Sequence, residues 1–311
     1  MTNIIITGAG GLVGSRFLEL TQHSPSAVDL TASTSKKLKK FEALNLLTAK
    51  EDEVQKVIGQ MDAQWLVHFA GYTNVDEAEL QRDSEDAICY KLNVEGTRKV
   101  VDACKSQGIK MVYISSDFVF DGLNGPYKED DEAAQSSGQT SWYGWTKLQG
   151  EKIVQESQIP HIIVRISYPY RANYERSDFV RGMIDGFSNG TLKSRFKNQI
   201  LTPVFIDDFA KALDLLIEQD ERGIWHIVNN DRLSAFDIAV QTAEVFGLDA
   251  AGLEAGDIKE FQQNNPTLAK RPANGGLKND KINGFLKQFG MSMHNFKETL
   301  IVMKEQMEAK A

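Results

Sequence analysis

Cysteine is almost missing from this chain: Cys89 and Cys104 are the two in 311 residues. That excludes a disulfide framework, and their spacing fits no metal-binding pattern. A basic excess is missing as well. Lys and Arg number 35 against 43 Asp and Glu, a formal net charge of −8, which speaks against a nucleic-acid partner. No apolar run approaches the ~18 residues that a membrane span needs. No basic segment or cleavage site precedes the first strand pattern, so a signal peptide is not expected. Internal repeats and low-complexity linkers are also lacking, and no His/Cys/Asp/Glu cluster has the spacing of a metal site. A cytoplasmic enzyme with two packing cysteines fits these absences.

What is present is an alternation of strand and helix. Asn3-Ile4-Ile5-Ile6-Thr7 is a β-branched run followed by glycines, the pattern of a buried parallel strand. A helix is expected over Ser15 to Gln22, a second strand over Ala27 to Thr31, and a short strand around Ala43 to Leu46. Further strands are expected at Gln64 to Phe69, Lys110 to Ser115 and His161 to Arg165. Between them come helices at Lys50 to Gln60, Asp86 to Gln107 and Trp142 to Gln158, the second with Leu92, Val100, Val101 and Cys104 inward. Such alternation implies a doubly wound parallel α/β sheet with right-handed crossovers. Beyond residue 166 the pattern loosens. Short segments at Leu201 to Val204 and Trp225 to Val228 sit among helices near Ile206 to Gln219, Ser234 to Phe246 and Asn295 to Met307. The expected organisation is therefore a dinucleotide-binding core over 1–166, with parts of 200–230 returning to it. A smaller, partly interleaved α/β lobe over 167–311 would bind substrate.

Gly8, Gly11 and Gly14 follow the first strand and open a helix. Glycines there permit a tight turn, let the backbone approach a pyrophosphate and let helix pack on strand. The helix N-terminus offers unpaired N–H groups and partial positive charge to phosphates. An NAD site usually ends its second strand in an acidic residue. Here Asp29 reads as lying too early, inside the strand, while Ser33, Lys36 and Lys37 follow it. Hydroxyls and lysines suit a 2′-phosphate, so NADP is the expected cofactor and NAD the alternative.

Tyr143 and Lys147 are four residues apart on one expected helix and share a face. A phenol ordinarily ionises near pH 10, and an adjacent ammonium favours its ionised form. The pair suits proton transfer at an alcohol or carbonyl oxygen. Ser115-Ser116-Asp117 ends a strand about thirty residues upstream. The segment Phe69-Ala70-Gly71-Tyr72 leaves another strand where cofactors lie in open α/β sheets. His68 reads as a core histidine, and Asn93 as a residue tying its helix to neighbouring backbone.

Taken together these motifs resemble the extended short-chain dehydrogenase/reductase family, in its dTDP-4-dehydrorhamnose reductase branch. The resemblance rests on the glycine turn, on His68 to Glu79, Leu92 to Thr97 and Ser115 to Gly122, and on Pro126 to Asp130 and Tyr143 to Glu151. Arg165 to Tyr168, Arg271-Pro272 and Leu277 extend it over nearly the whole chain. It implies a Rossmann-type fold and reduction of a 4-keto sugar attached to a nucleoside diphosphate. Tyr143 would be the general acid, Lys147 would ease the transfer and hold the nicotinamide ribose, Ser116 would bond the reacting oxygen, and Asp117 would assist. Cofactor contacts are expected at Gly8, Gly10, Gly11, Leu12, Val13 and Gly14, at Ser33 and Lys36, and at Asn45 and Leu46. Phe69, Ala70, Gly71, Tyr72, Ser115, Tyr143 and Lys147 complete that set. Substrate contacts are expected at Asn74, Ser116, Tyr168, Gln199 and Arg271, with Tyr168 where the branch often has Trp. In Asn198 to Pro203, Asn198 and Leu201 stand where the branch has Asp and Gly. By analogy with the fold, a homodimer is expected. Two alternatives stay open: an NAD-retaining nucleotide-sugar epimerase or dehydratase, and a regulatory subunit that binds NADP and a partner protein.

The reading of the second-strand tip can be checked directly. Replacing Lys36 and Lys37 with Ala should weaken NADP about tenfold more than NAD, the scale of one lost charge-assisted bond. Equal changes in the two dissociation constants would refute the 2′-phosphate contact.

Overall fold

The computed structural model describes residues 1–29 and 38–309. Its centre is a seven-stranded, wholly parallel sheet. The strands are β1 (Asn3–Thr7), β2 (Ser24–Asp29), β3 (Phe41–Ala43), β4 (Trp65–His68), β5 (Lys110–Ser116) and β6 (His161–Ile166), with Gly223–His226 added at the β6 edge. The spatial order runs from Gly223–His226 through β6, β5, β4, β1 and β2 to β3. The direction of travel reverses between β1 and β4. A crevice opens there beyond the carboxyl ends of the strands, the usual ligand position in such sheets.

Strand residues alternate between two covered faces, as the two-residue period requires. Ile4, Ile6, Val67, Val112, Ile114 and Val164 meet Phe17, Phe209 and Leu213 on one side. Ile5, Leu66, Met111, Tyr113 and Ile163 meet Val54, Ile58, Val100, Cys104 and Val154 on the other. The first face is covered by helices Leu12–Leu20, Ile206–Glu218 and Asp280–Leu286, the second by Glu51–Gly59, Thr97–Gln107 and Trp142–Glu156. A third apolar cluster lies in the lobe, between helices Phe179–Ser188, Ala235–Phe246 and Phe296–Glu308, around Tyr170, Phe205 and Phe296. Among the described residues no helix is long and apolar enough to cross a membrane.

Several elements differ from the sequence expectation. The first helix starts at Leu12, because Gly11 already serves as its N-cap. The second strand starts at Ser24, paired from Asn3↔Ser24 onward, and Asp29 is its last described residue, opposite Ala43 where β3 ends. The tip of this strand, with Ser33, Lys36 and Lys37, falls outside the described residues. The short third strand is Phe41–Ala43. It stops before Asn45, whose side chain turns the backbone by accepting from Leu47 N at 3.0 Å. The helix expected over Asp86 to Gln107 begins at Ile88 and carries a π-helical turn over Lys91–Gly96 before Thr97–Gln107. Helix Phe179–Ser188 was hidden by its two glycines; Asp178 caps it, accepting from Val180 N and Arg181 N at 3.0 Å each.

The helix Trp142–Glu156 is fastened to β6 by a buried ion pair. Arg165 Nε and Nη2 donate to Glu151 at 2.9 and 2.7 Å, with both side chains almost wholly out of solvent. The guanidinium also stands 4.9 Å from the Phe120 ring centroid. Removing one partner from such a pair leaves a buried charge uncompensated. Arg165→Leu should therefore cost about 3–5 kcal/mol in urea unfolding; a loss under about 1 kcal/mol would show that the pair does not hold the helix.

Candidate active site

The glycine turn is shaped by what a side chain would strike. Gly8 has φ +69°, and a Cβ there would lie 2.5 Å from Ala70 N at the end of β4. A Cβ on Gly14 would lie 2.3 Å from the Gly8 carbonyl, so only glycine lets the helix come down on the turn. No side chain caps the N-terminus of that helix. Its first N–H groups belong to residues that line the crevice, where an anion would meet them.

The opposite wall comes from β5 and the helix after it. Ser115, Ser116 and Asp117 leave the carboxyl end of β5. Ser116 Oγ donates to Asp117 Oδ1 at 3.0 Å and accepts from Phe118 N at 3.3 Å. Ser167 Oγ donates to the other Asp117 oxygen at 2.7 Å. Burial holds the Asp117 carboxyl above the usual carboxylate range, at about 6, against the pull of these hydroxyls. Ser115 Oγ is buried and lacks a partner among the described residues.

Ser141 caps the next helix, accepting from Gly144 N at 3.1 Å. That start places Tyr143 in its first turn and Lys147 one turn later, both facing the crevice. Gly144 allows the approach: a Cβ there would lie 2.1 Å from the Phe118 carbonyl. The Tyr143 phenol lies beside Ser116, whose hydroxyl favours its ionised form, and Phe118 meets its ring edge-on at 5.8 Å. Burial pushes the phenol above its ordinary value, and the Ser116 hydroxyl opposes this only in part. Lys147 was expected to draw the phenol down; instead burial dominates, and Asp117 and Cys89 push the phenol the same way. Burial also lowers the Lys147 ammonium to about 7, although the Glu151 charge favours it.

Asn93 lies in the π-helical turn and is buried. Its Oδ1 accepts from Tyr72 N at 2.7 Å, and its Nδ2 donates to the Tyr72 carbonyl at 3.1 Å and to Thr146 Oγ1 at 3.0 Å. It thus ties the loop after β4 to the tyrosine helix. His68 is a buried core residue between Thr7 Oγ1 at 2.6 Å and Thr97 Oγ1 at 3.3 Å, and burial lowers it to about 3, so it is neutral.

The lobe closes the third side. Tyr168 lines the crevice with φ +42°, a left-handed conformation unusual for a bulky residue. Its ring centroid is 4.7 Å from that of Phe179 and 6.4 Å from that of Phe118. Arg271 lines the crevice too, its Nη2 donating to Asp76 at 2.6 Å across to the core. The whole crevice encloses about 470 Å³, within the range of small-ligand sites.

Of the residues expected in the site, Gly8, Gly11, Leu12, Val13 and Gly14 line this crevice. So do Phe69, Gly71, Ser115, Ser116, Asp117, Tyr143, Lys147, Tyr168 and Arg271. Others are placed elsewhere. Gly10 turns its carbonyl to Tyr174 OH at 2.7 Å. Ala70 packs on the second core face, and Leu46 is buried in the same cluster. Asn45 makes its local turn. Tyr72 points away, donating to Glu77 at 2.7 Å. Asn74 caps the short helix Val75–Glu79. Gln199 is buried and reaches the crevice only through Tyr168, donating to its hydroxyl at 3.3 Å. Sequence reasoning missed Ile114, Phe118, Ile166, Arg176 and Phe179. Ile114 had a signal, since it lies two residues before Ser116 on the same strand face. Arg176 and Phe179 had none, because their place depends on how the lobe folds back.

Relatives agree with this architecture. A dTDP-4-dehydrorhamnose reductase of Mycolicibacterium smegmatis is 30% identical over 79% of this chain and 70% of its own length. A methionine adenosyltransferase 2 subunit beta of Pongo abelii is 29% identical over 90% of this chain and 81% of its own. The crystal structure of a Bacillus anthracis dTDP-4-dehydrorhamnose reductase in complex with NADP superposes with a TM-score of 0.80 at 27% identity, covering 100% of this chain and 99% of that one. The model of the family described as the RmlD substrate binding domain matches residues 1–308, so a Rossmann-type sheet, a glycine turn and a Tyr-Lys helix here belong to a member of the RmlD substrate-binding-domain family.

Proposed function

We propose that this protein is an NAD(P)H-dependent reductase of a nucleotide-linked 4-keto sugar, similar in activity to dTDP-4-dehydrorhamnose reductase. The observation that carries the reading is the meeting of Ser116, Tyr143 and Lys147 on one crevice with the glycine turn. A dinucleotide fits what is there: a turn that only glycine can make, an uncapped helix N-terminus and the unpartnered Ser115 hydroxyl. NADP is the cofactor of this reading, supported by the Bacillus anthracis relative. Asp29, late in β2 and level with the end of β3, keeps NAD as the alternative.

When bound, the dinucleotide supplies a hydride to the carbonyl carbon. The chain's own groups manage the oxygen. Tyr143, held protonated by burial, gives its proton to the oxygen as negative charge gathers there. Ser116 supplies a second bond by turning its single proton from Asp117 to that oxygen. Lys147, one turn along, stabilises the tyrosinate left behind. Arg176 and Arg271 put positive charge on the lobe side of the crevice, where a diphosphate would lie. The same reading carries a cytoplasmic location and a homodimeric assembly.

A second reading has one observation in its favour, the match to a methionine adenosyltransferase subunit over 90% of the chain: an NADP-binding regulatory subunit. Intact Ser116, Tyr143 and Lys147 favour the enzyme. NADPH oxidation with a panel of nucleotide-linked 4-keto sugars separates the two. Tight NADP binding without turnover of any sugar would sink the reductase reading.

Tyr143→Phe should lower turnover about 10²- to 10⁴-fold while the NADP dissociation constant stays within about twofold; a variant as active as the parent protein would refute the acid role. Asp117 makes a separate claim about pH. Its folded value of about 6 lies above the ordinary 3.8. Its contribution to stability is thus fully present below about pH 4 and lost as pH rises through about 6. Asp117→Asn removes that titration. Its stability relative to the parent should rise by on the order of 3 kcal/mol between pH 4 and 7. A difference that stays flat with pH, measured by urea midpoints, would show that the carboxyl titrates normally.

A further inference from the structure

Lys147 reaches the crevice with only 5% of its surface exposed. Glu151, one turn further along the helix, is committed to Arg165 through two bonds. What lies directly against the ammonium is a ring face: Lys147 Nζ is 4.0 Å from the centroid of Tyr113. Tyr113 is wholly buried in the middle of β5, two residues before Ser115. Its ring also neighbours the neutral His68, 6.0 Å away and 29° from parallel.

The hydroxyl end of Tyr113 is fixed to the same residue. It donates to the Lys147 main-chain carbonyl at 3.3 Å. It reaches the helix at Gly150, where a Cβ would stand 2.1 Å from the phenol oxygen. A tyrosine in the strand and a glycine in the helix therefore form one fitted contact. We propose that Tyr113 is the positioning residue for Lys147, its ring face holding the ammonium by a cation–π contact and its hydroxyl anchoring the helix at the Lys147 carbonyl.

The other groups around the ammonium do not fill this role. On its own helix are Tyr143, beside Ser116, and Glu151, held by Arg165. From the segment before the π-helical turn comes the neutral thiol of Cys89, held up by burial. From the loop after β4 comes Gly71, where a Cβ would lie 3.9 Å from Nζ. From β4 comes His68, kept neutral by burial and by the Lys147 charge itself. A quadrupolar ring face is the neighbour that attracts a cation without adding a charge to the pocket. The consequence for turnover rests on the reductase reading; the contact itself does not.

The test follows the ammonium in the unliganded protein. The Lys147 Cε resonance, identified in ¹³C-lysine spectra by its loss in Lys147→Arg, is titrated against pH. Tyr113→Phe should leave the midpoint nearly unmoved, and Tyr113→Met should lower it by about one unit. Phenylalanines carrying successive ring fluorines at 113 keep the shape and weaken the ring face, so the midpoint should fall stepwise with fluorine number. A flat fluorine series would overturn the proposal even if the Met variant folds poorly. NADP binding gives a second readout: Tyr113→Met should raise the dissociation constant about tenfold, with no further loss in a Lys147→Met background. Additive losses would make Tyr113 merely structural and overturn its positioning role. If the fluorine series responds while no keto sugar is turned over, Tyr113 keeps its role and the reductase reading fails.

Discussion

The site depends on how closely the helix Trp142–Glu156 can lie against the end of β5. Two glycines set that distance. Gly144 meets the Phe118 carbonyl and Gly150 meets the Tyr113 phenol, each at a separation no Cβ could share. The buried Arg165–Glu151 pair then clamps the far end of the helix to β6. Tyr143 and Lys147 inherit their positions from these three contacts. A larger residue at either glycine would lift the helix off the sheet and carry both side chains away from Ser116.

Close packing also sets the electrostatics, and it works in opposite senses on the two ends of the pair. Burial favours the neutral form of every ionisable group. The Tyr143 phenol rises, so it stays protonated, and the Lys147 ammonium falls to about 7, so its charge needs support. Ser116 opposes the first shift, and the Tyr113 ring face opposes the second in the view taken above. Asp117 belongs to the same balance: it rises to about 6 despite two serine hydroxyls, because it too has been taken out of water. The simple idea of a lysine lowering a neighbouring phenol misses the larger desolvation that both share.

The lobe contributes shape and charge rather than proton transfer. Tyr168, in its left-handed conformation, and Phe179 make an aromatic wall, while Arg271 spans to Asp76 on the core. Arg171 extends the lobe's hold on the first helix, donating to Ser15 Oγ at 2.9 Å and to both oxygens of Glu19. The glycine turn is therefore held from the core side by Ala70 and from the lobe side by Tyr174. A ligand bridging the two halves would touch residues that already brace one another.

Local chemistry by itself determined the glycine turn, the Ser115-Ser116-Asp117 strand end and the Tyr-Lys helix. Each is a short segment whose composition and period dictate its form, whatever it packs against. The parallel sheet was legible for the same reason, from β-branched runs alternating with helical periods. What only the tertiary structure decided are properties belonging to pairs of distant segments. Gln199 turned out to support Tyr168 rather than face the crevice. Arg176 and Phe179 entered it because the lobe folds back. Asp29 came to lie level with the end of β3 because the register of β2 starts at Ser24. The ionisation of Tyr143, Lys147 and Asp117 depends on how much water is excluded around them, and that is fixed only when the sheet, the helix and the lobe are brought together.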